Sequence, residues 1–154
     1  MNITPTDPFD RTRSAGYLAN HMARLFAQRL HERIRPLGLA PAQFMTLLEL
    51  WTADGLTQSD LVERLDVEQA TMANTLSRME RDGLIERRTD ERDARARRIY
   101  LTARARALRK PAEEAANEVN AMALGSMDQD ERTQLIDGIA RAINGLKNND
   151  AAEC

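Results

Sequence analysis

Residues 57–102 constrain this chain more than any other part of it, because they demand a short helix, a tight turn, a longer helix and a β-hairpin in immediate succession. Thr57 with Asp60 three residues on is a capping-box-like helix start, the acid standing where Glu or Gln is commoner. Leu61, Val62 and Leu65 then fall three to four residues apart and line one face. Asp66 occupies the turn, a place where Gly is frequent and where Asp tolerates left-handed backbone better than most residues. Val67 resumes the apolar pattern, and a second helix is expected over about 68–82, burying Met72, Leu76 and Met79. Gly83 suits its C-terminal end, since it carries no Cβ penalty in the left-handed region.

If residues 72, 76 and 79 face inward, then Gln69, Ala70, Thr71, Asn74, Thr75 and Arg78 lie on the exposed side or flank it. That face is small and, Ala70 apart, polar at its N-terminal end, as a helix must be to enter a major groove about 12 Å wide. Gln69 and Asn74 have the amides to pair with adenine. Thr71 and Thr75 suit a phosphate or a thymine methyl, and Arg78 suits phosphate or guanine. In isolation such a face is ordinarily just solvated. The residues directly behind this helix change the balance. LIERR (84–88) and RRIYL (97–101) are strand-like runs bracketing the polar stretch TDERDARA, which is too polar for a core. From Arg78 to Lys110 twelve Lys or Arg face six Asp or Glu, a local balance of +6 in a chain of net charge −2, so the remainder carries −8. A basic block inside an acidic chain is the electrostatic footprint of a phosphate-binding surface. Arg88, Arg92, Arg95 and Arg97 are its wing members, and Arg95 at the hairpin tip is the side chain best placed for a narrow minor groove. The architecture expected is mainly α, an α+β winged helix-turn-helix.

The pattern Asp93-x-Arg95-x-x-x-Ile99-x-Leu101-Thr102 resembles the wing signature of the MarR family of bacterial transcriptional regulators. TMANTLSRMERDGLIERR (71–88) is similar to that family's recognition helix and first wing strand, and PLGLAPAQFMTLLEL (36–50) extends the resemblance over nearly the whole chain. Ala105 is a departure, standing where many members have Gly. The resemblance implies a homodimer bound to a pseudo-palindromic operator in double-stranded DNA, usually a repressor and often released by a small aromatic or phenolic ligand. It implies that Asp93 pairs with an Arg to hold the hairpin and that Arg95 touches DNA.

Around this unit the rest is scaffold. The length, 154 residues, suits one domain over 1–154, with a DNA-binding region over 40–102. Helices over 12–35 and 103–147 are expected to build a dimerisation region. Residues 1–11, with two prolines, read as a loose arm. Leu18, Met22, Leu25, Phe26, Leu30 and Ile34 keep helical spacing up to Pro36 and Gly38. Pro41 opens the next helix, which packs Phe44, Leu47, Leu48 and Trp51. Thr102 caps a long segment that contains Pro111, where a bend is expected. There Ala112, Ala115, Val119 and Met122 form a seam. After Gly125, Asp128 with Glu131 can cap a last helix striped by Leu135, Ile136, Ile139, Ile143 and Leu146, with 147–154 frayed. That stripe either covers the domain's own core or pairs with a second subunit, and the second is the stronger reading.

No metal, cofactor or enzymatic chemistry is expected. His21 and His31 have no ligand-spaced neighbours, and neither a nucleophile elbow nor a phosphate-cradling glycine loop occurs. No apolar run approaches the ~18 residues a membrane helix needs, and no signal peptide is expected. With the lone Cys154 as last residue, no internal disulfide forms and the cytoplasm is the expected location. Tyr17, His21, Met45 and Trp51 are candidates for a ligand pocket, with plain core packing as the alternative for each. Two further readings stand beside the DNA-binding regulator: a winged-helix module for a protein partner, and a redox-responsive regulator using Cys154.

Overall fold

The computed structural model describes residues 8–150, so Cys154 and most of the N-terminal arm lie outside the described residues. The chain divides into two compact units, Met1–Ala116 and Asn117–Cys154.

In the first unit a 3-10 turn over Arg11–Arg13, capped by Asp10, leads to Ser14, whose Oγ accepts from the Tyr17 N–H at 3.3 Å and starts α1 (Ala15–Ile34). A second 3-10 turn, Arg35–Leu37, contains Pro36, and Gly38 turns the chain left-handed at φ 78°. Pro41 then opens α2 (Pro41–Thr52), which buries Phe44, Leu47, Leu50 and Trp51. Leu48 is only partly buried, and the inner position belongs to Leu50. The capping box forms as its residue types require. Thr57 Oγ1 accepts from the Asp60 N–H at 3.1 Å while the Thr57 N–H donates to the Asp60 carboxylate at 2.9 Å, starting α3 (Gln58–Leu65). These bonds hold the Asp60 carboxyl below the usual carboxylate range, the Thr57 N–H being the main cause. Asp66 turns at φ 51°, ψ 46°, and α4 (Gln69–Arg81) follows with Met72, Leu76 and Met79 buried.

The chain forms a three-stranded antiparallel sheet in which β1 (Leu56–Thr57) pairs with β3 (Arg97–Leu101), and β3 with β2 (Ile85–Thr89). The hairpin pairs Ile85 with Leu101 and Thr89 with Arg97, while Leu56 sits across from Ile99. β1 is not expected from the sequence pattern. Its presence puts Gly55, at φ +79°, beside the Tyr100 ring, where an added Cβ would lie 3.0 Å from Cε1. One core cluster joins Ile34, Leu47, Leu50, Leu61, Leu76, Leu84 and Ile99 from helices and sheet alike.

Thr102 ends β3 and caps α5 (Ala103–Ala123): its Oγ1 accepts from the Ala105 N–H at 3.2 Å and donates to the Gly83 carbonyl at 2.7 Å. Ala105 is fully buried, so the residue that replaces the commoner glycine fills a packed site and the helix starts normally. α5 runs unbroken past Pro111, which removes one N–H from the helical ladder without ending it. Within the seam Ala112, Ala115 and Val119 are buried, whereas Met122 is half exposed.

In the second unit Asp128 and Glu131 cap each other reciprocally, each N–H donating to the other's carboxylate at 2.9 Å. They start α6 (Gln129–Asp150), which extends past the point where the sequence pattern suggests fraying. Ile136, Ile143 and Leu146 remain exposed on it. No helix among the described residues is long and apolar enough to cross a membrane.

Candidate nucleic-acid interface

Burial of Met72, Leu76 and Met79 fixes how α4 is rotated about its axis. With that face spent, Gln69, Ala70, Thr71, Asn74 and Arg78 stand exposed. Thr75 is half-buried, and its hydroxyl donates to the Thr71 carbonyl at 2.9 Å. Its methyl, more than its oxygen, is therefore what Thr75 has to offer a ligand. Gln69 is braced from behind, its side-chain oxygen 3.2 Å from Gln58 Nε2. Gln58 is not a site candidate from sequence alone, and nothing local marks it, since its partner lies eleven residues on.

The C-terminal end of α4 is tied down by Asp82. Its carboxylate accepts from Arg81 Nε at 3.1 Å and from Gln43 Nε2 at 2.9 Å, and these two bonds hold it below the usual carboxylate range. Gln43 is buried and spends its other amide atom on the Ala40 N–H, 3.1 Å away. Arg104 donates to the Asp82 carbonyl. α4 is thus clamped to α2 and α5 at its far end, and its exposed candidate residues begin at the opposite end.

The hairpin is held differently from the expectation. Asp93 does not pair with an Arg among the described residues. Its carboxylate accepts from the Arg95 N–H at 3.0 Å and its carbonyl from the Ala96 N–H at 3.0 Å, so it shapes the tip turn. The brace is Asp90. Its Oδ2 accepts from Arg98 Nε at 2.9 Å, its Oδ1 from the Arg92 N–H at 3.0 Å, and Arg98 Nη1 reaches the Gly55 carbonyl at 2.9 Å. The register explains the substitution. Thr89 pairs with Arg97, so Asp90 leaves β2 beside Arg98, while Asp93 sits three residues further out on the tip.

The Arg92 N–H and then the Arg98 guanidinium hold the Asp90 carboxyl below its usual range, and Asp90 raises Arg98 in turn. A carboxylate depressed in the folded protein stabilises it above the unfolded pKa, about 3.9, and that contribution is lost as pH falls through the lower folded value. Protection of the Ala96 and Arg98 amides, taken relative to the free-peptide rate at each pH, is therefore expected to fall below about pH 4, and Asp90→Asn to remove that fall; identical protection profiles would remove the brace from Asp90.

The electrostatics sort the basic block. Arg81, Arg87, Arg88, Arg98, Arg106 and Arg109 each have a carboxylate within 2.9–3.5 Å. Arg88 also stacks over Tyr100 at 4.6 Å, so of the wing arginines named from the sequence it is the one already engaged. Among the described residues no hydrogen bond or ion pair engages the side chains of Arg78, Arg92, Arg95 and Arg97.

The four ligand-pocket candidates do not come together. Tyr17 and His21 stack edge to face on an exposed side of α1, ring centroids 6.3 Å apart. Met45 lies half exposed on a shallow groove of about 140 Å³ with Leu65, Val67 and Thr71. Trp51 is core. It is 9% exposed, packs on Phe44 and donates its indole N–H to the Ala105 carbonyl at 3.1 Å. Its one donor is thus satisfied by backbone, and what remains is ring surface, which lines a cleft of about 300 Å³ with Asp54, Arg106 and Arg109. Among the described residues no cluster of three or more His, Cys, Asp or Glu is arranged to hold a metal ion.

Residues 39–96 match the model of the MarR family. YwoH of Bacillus subtilis (strain 168), described as an uncharacterized HTH-type transcriptional regulator, is 35% identical over 101 residues, 66% of this chain and 68% of that one. A MarR transcriptional regulator from Methanosarcina mazei Go1 is 26% identical with a TM-score of 0.80, covering 86% of this chain and 96% of that one. The S. aureus MepR–DNA complex shares the fold at a TM-score of 0.76 and 23% identity, covering 89% of this chain and 99% of MepR.

Proposed function

This chain belongs to the MarR family of transcriptional regulators, which are not enzymes, and from that premise we propose that it is a homodimeric repressor of a pseudo-palindromic operator. In this reading the helix over about 68–82 enters the major groove. Gln69 and Asn74 read adenine, Ala70, Thr71 and Thr75 make close contacts at its entry, and Arg78 meets guanine or phosphate. The wing over about 84–101 crosses the minor groove, where Arg95 inserts and Arg88, Arg92 and Arg97 follow the backbone. The observation that carries it is the division of the basic block. Internal carboxylates engage six of its arginines, Arg81 and Arg88 among them, whereas among the described residues the side chains of Arg78, Arg92, Arg95 and Arg97 have no such partner and stand uncompensated toward a polyanion. That the structurally similar MepR is found in a complex with DNA supports DNA as the partner.

Dimerisation through helices over 12–35 and 103–147 is favoured by their unspent apolar surface. Leu18 and Leu25 on α1 are 47% and 49% exposed and Leu146 on α6 is 74% exposed, more apolar side chain than a monomer gains by showing to water. Release is assigned to a small aromatic or phenolic ligand that binds better to a dimer whose recognition helices are wrongly spaced for DNA.

The test is selection of genomic fragments against nonspecific competitor, followed by titration of Arg95→Ala on the best fragment. An inverted repeat with half-sites about 10 base pairs apart is expected. The variant should bind it roughly 10-fold more weakly, equivalent to about 1.4 kcal/mol, at unchanged melting temperature. Selection of nothing over competitor would favour a protein partner for the winged helix instead.

A further inference from the structure

A second cationic feature adjoins the residues assigned so far and extends beyond them. The 3-10 turn Arg35–Leu37, the start of α2 and the last turns of α4 enclose an open cleft of about 440 Å³ lined by Arg35, Arg78, Arg81, Asp82 and Gln43. Arg104 stands at its edge, Nη2 only 3.1 Å from where a Cβ on Gly38 would lie. Asp82 is the one carboxylate lining it, and it is already committed to Arg81 and Gln43. Arg35 is exposed, and its side chain, like that of Arg78, has no partner among the described residues. The start of α2 lines it too, at Ala40 and Gln43, and Ala40 offers no side-chain oxygen to cap that helix. A helix start, with the positive end of its dipole behind it, adds to the attraction the arginines have for an anion.

We infer that this cleft seats a backbone phosphate of the DNA duplex, with Arg35 as its principal side-chain contact. Arg78 makes the connection, because it lines the cleft and stands on the exposed stripe of α4 that runs through Thr71 and Asn74. A helix lying in the major groove has a phosphate strand on either side, and the cleft sits beside the part of α4 that leaves the groove. A free organic anion fits less well. Small-molecule sites enclose their ligand and are mostly apolar, whereas this cleft is open and its only large apolar liner is Leu39. The inference rests on the DNA-binding reading but reaches a residue remote in sequence from both recognition helix and wing.

A phosphate contact carries no base information and shows itself in the salt dependence of binding. Dissociation constants for wild type, Arg35→Ala and Arg35→Lys would be measured from about 50 to 200 mM salt, on the selected operator and on an unrelated duplex. For Arg35→Ala the slope of log K against log salt should shrink by about 0.9 on both duplexes, one phosphate's worth. The preference for operator should stay intact, and Arg35→Lys should recover most of the slope. The wild-type titration reports on the regulator reading, and the variant slopes report on the cleft. An unchanged slope in Arg35→Ala would overturn the assignment. So would inorganic phosphate stabilising wild type but not Arg35→Ala in the absence of DNA while the slope stays the same, since the cleft would then serve a free anion.

Discussion

Ala70→Glu is expected to lower operator affinity by on the order of 100-fold or more, while the melting temperature stays level or rises slightly. Ala70 is exposed in the first turn of α4 with no interaction to lose. A carboxylate there meets the positive end of the helix, worth about 0.3–1 kcal/mol in favour of the fold. Against a phosphate backbone the same charge is repelled, and like-charge juxtaposition across an interface costs several kcal/mol, with each 1.4 kcal/mol a factor of about ten. The two signs separate binding from folding in one variant. Anisotropy titration with a labelled operator reads the first, and a circular dichroism melt the second. Operator affinity within a factor of two or so of wild type would mean that the first turn of α4 does not enter the groove.

Leu76→Ala is expected to do the reverse. Leu76 is fully buried, one turn along from Met72 and in the same core cluster as Leu61 and Ile99. Truncating such a leucine costs about 2–5 kcal/mol through lost burial and the cavity left behind. Against a total stability of about 5–15 kcal/mol that is a large part of the whole, and the melting temperature should fall by about 2–4 °C per kcal/mol. Asn74, two residues earlier on the opposite face, supplies the control. Asn74→Ala should leave stability within about 0.5 kcal/mol and cost about 1–3 kcal/mol of base discrimination. Chemical denaturation and operator titration of the pair decide it. If Asn74→Ala destabilised as much as Leu76→Ala, the rotation of α4 assigned from burial would be wrong.

The rotation of α4 is legible in sequence because it is a local property. Three apolar residues at four- and three-residue spacing set one face and leave the other by subtraction, and the caps at Thr57, Asp66 and Gly83 depend on single residues within a few positions of each other. Whatever depends on distant partners is hidden. β1 is two residues long and has no periodicity of its own; it exists because Leu56 meets Ile99, far along the chain. The hairpin brace goes to Asp90 and not Asp93 because the pairing register, which charge pattern alone does not reveal, brings Asp90 to Arg98. The bond from the Trp51 indole to a backbone carbonyl in α5 is hidden in the same way, since its partner lies 54 residues on. Arg35 is inconspicuous for the same reason, since it reads as the tail of a scaffold helix until the fold brings it beside Arg78.

The bond between Trp51 and Ala105 has a practical side. Trp51 is the only tryptophan in the chain, and it lies where the end of α2 meets the start of α5, with Arg109 donating to its carbonyl at 3.1 Å. All indole fluorescence of this protein therefore originates at that single joint. Its emission maximum reports how dry and how tightly closed the joint is, with no label attached. A red shift on adding a candidate effector would mark the joint opening, and constant emission during DNA titration would mark it as rigid through binding.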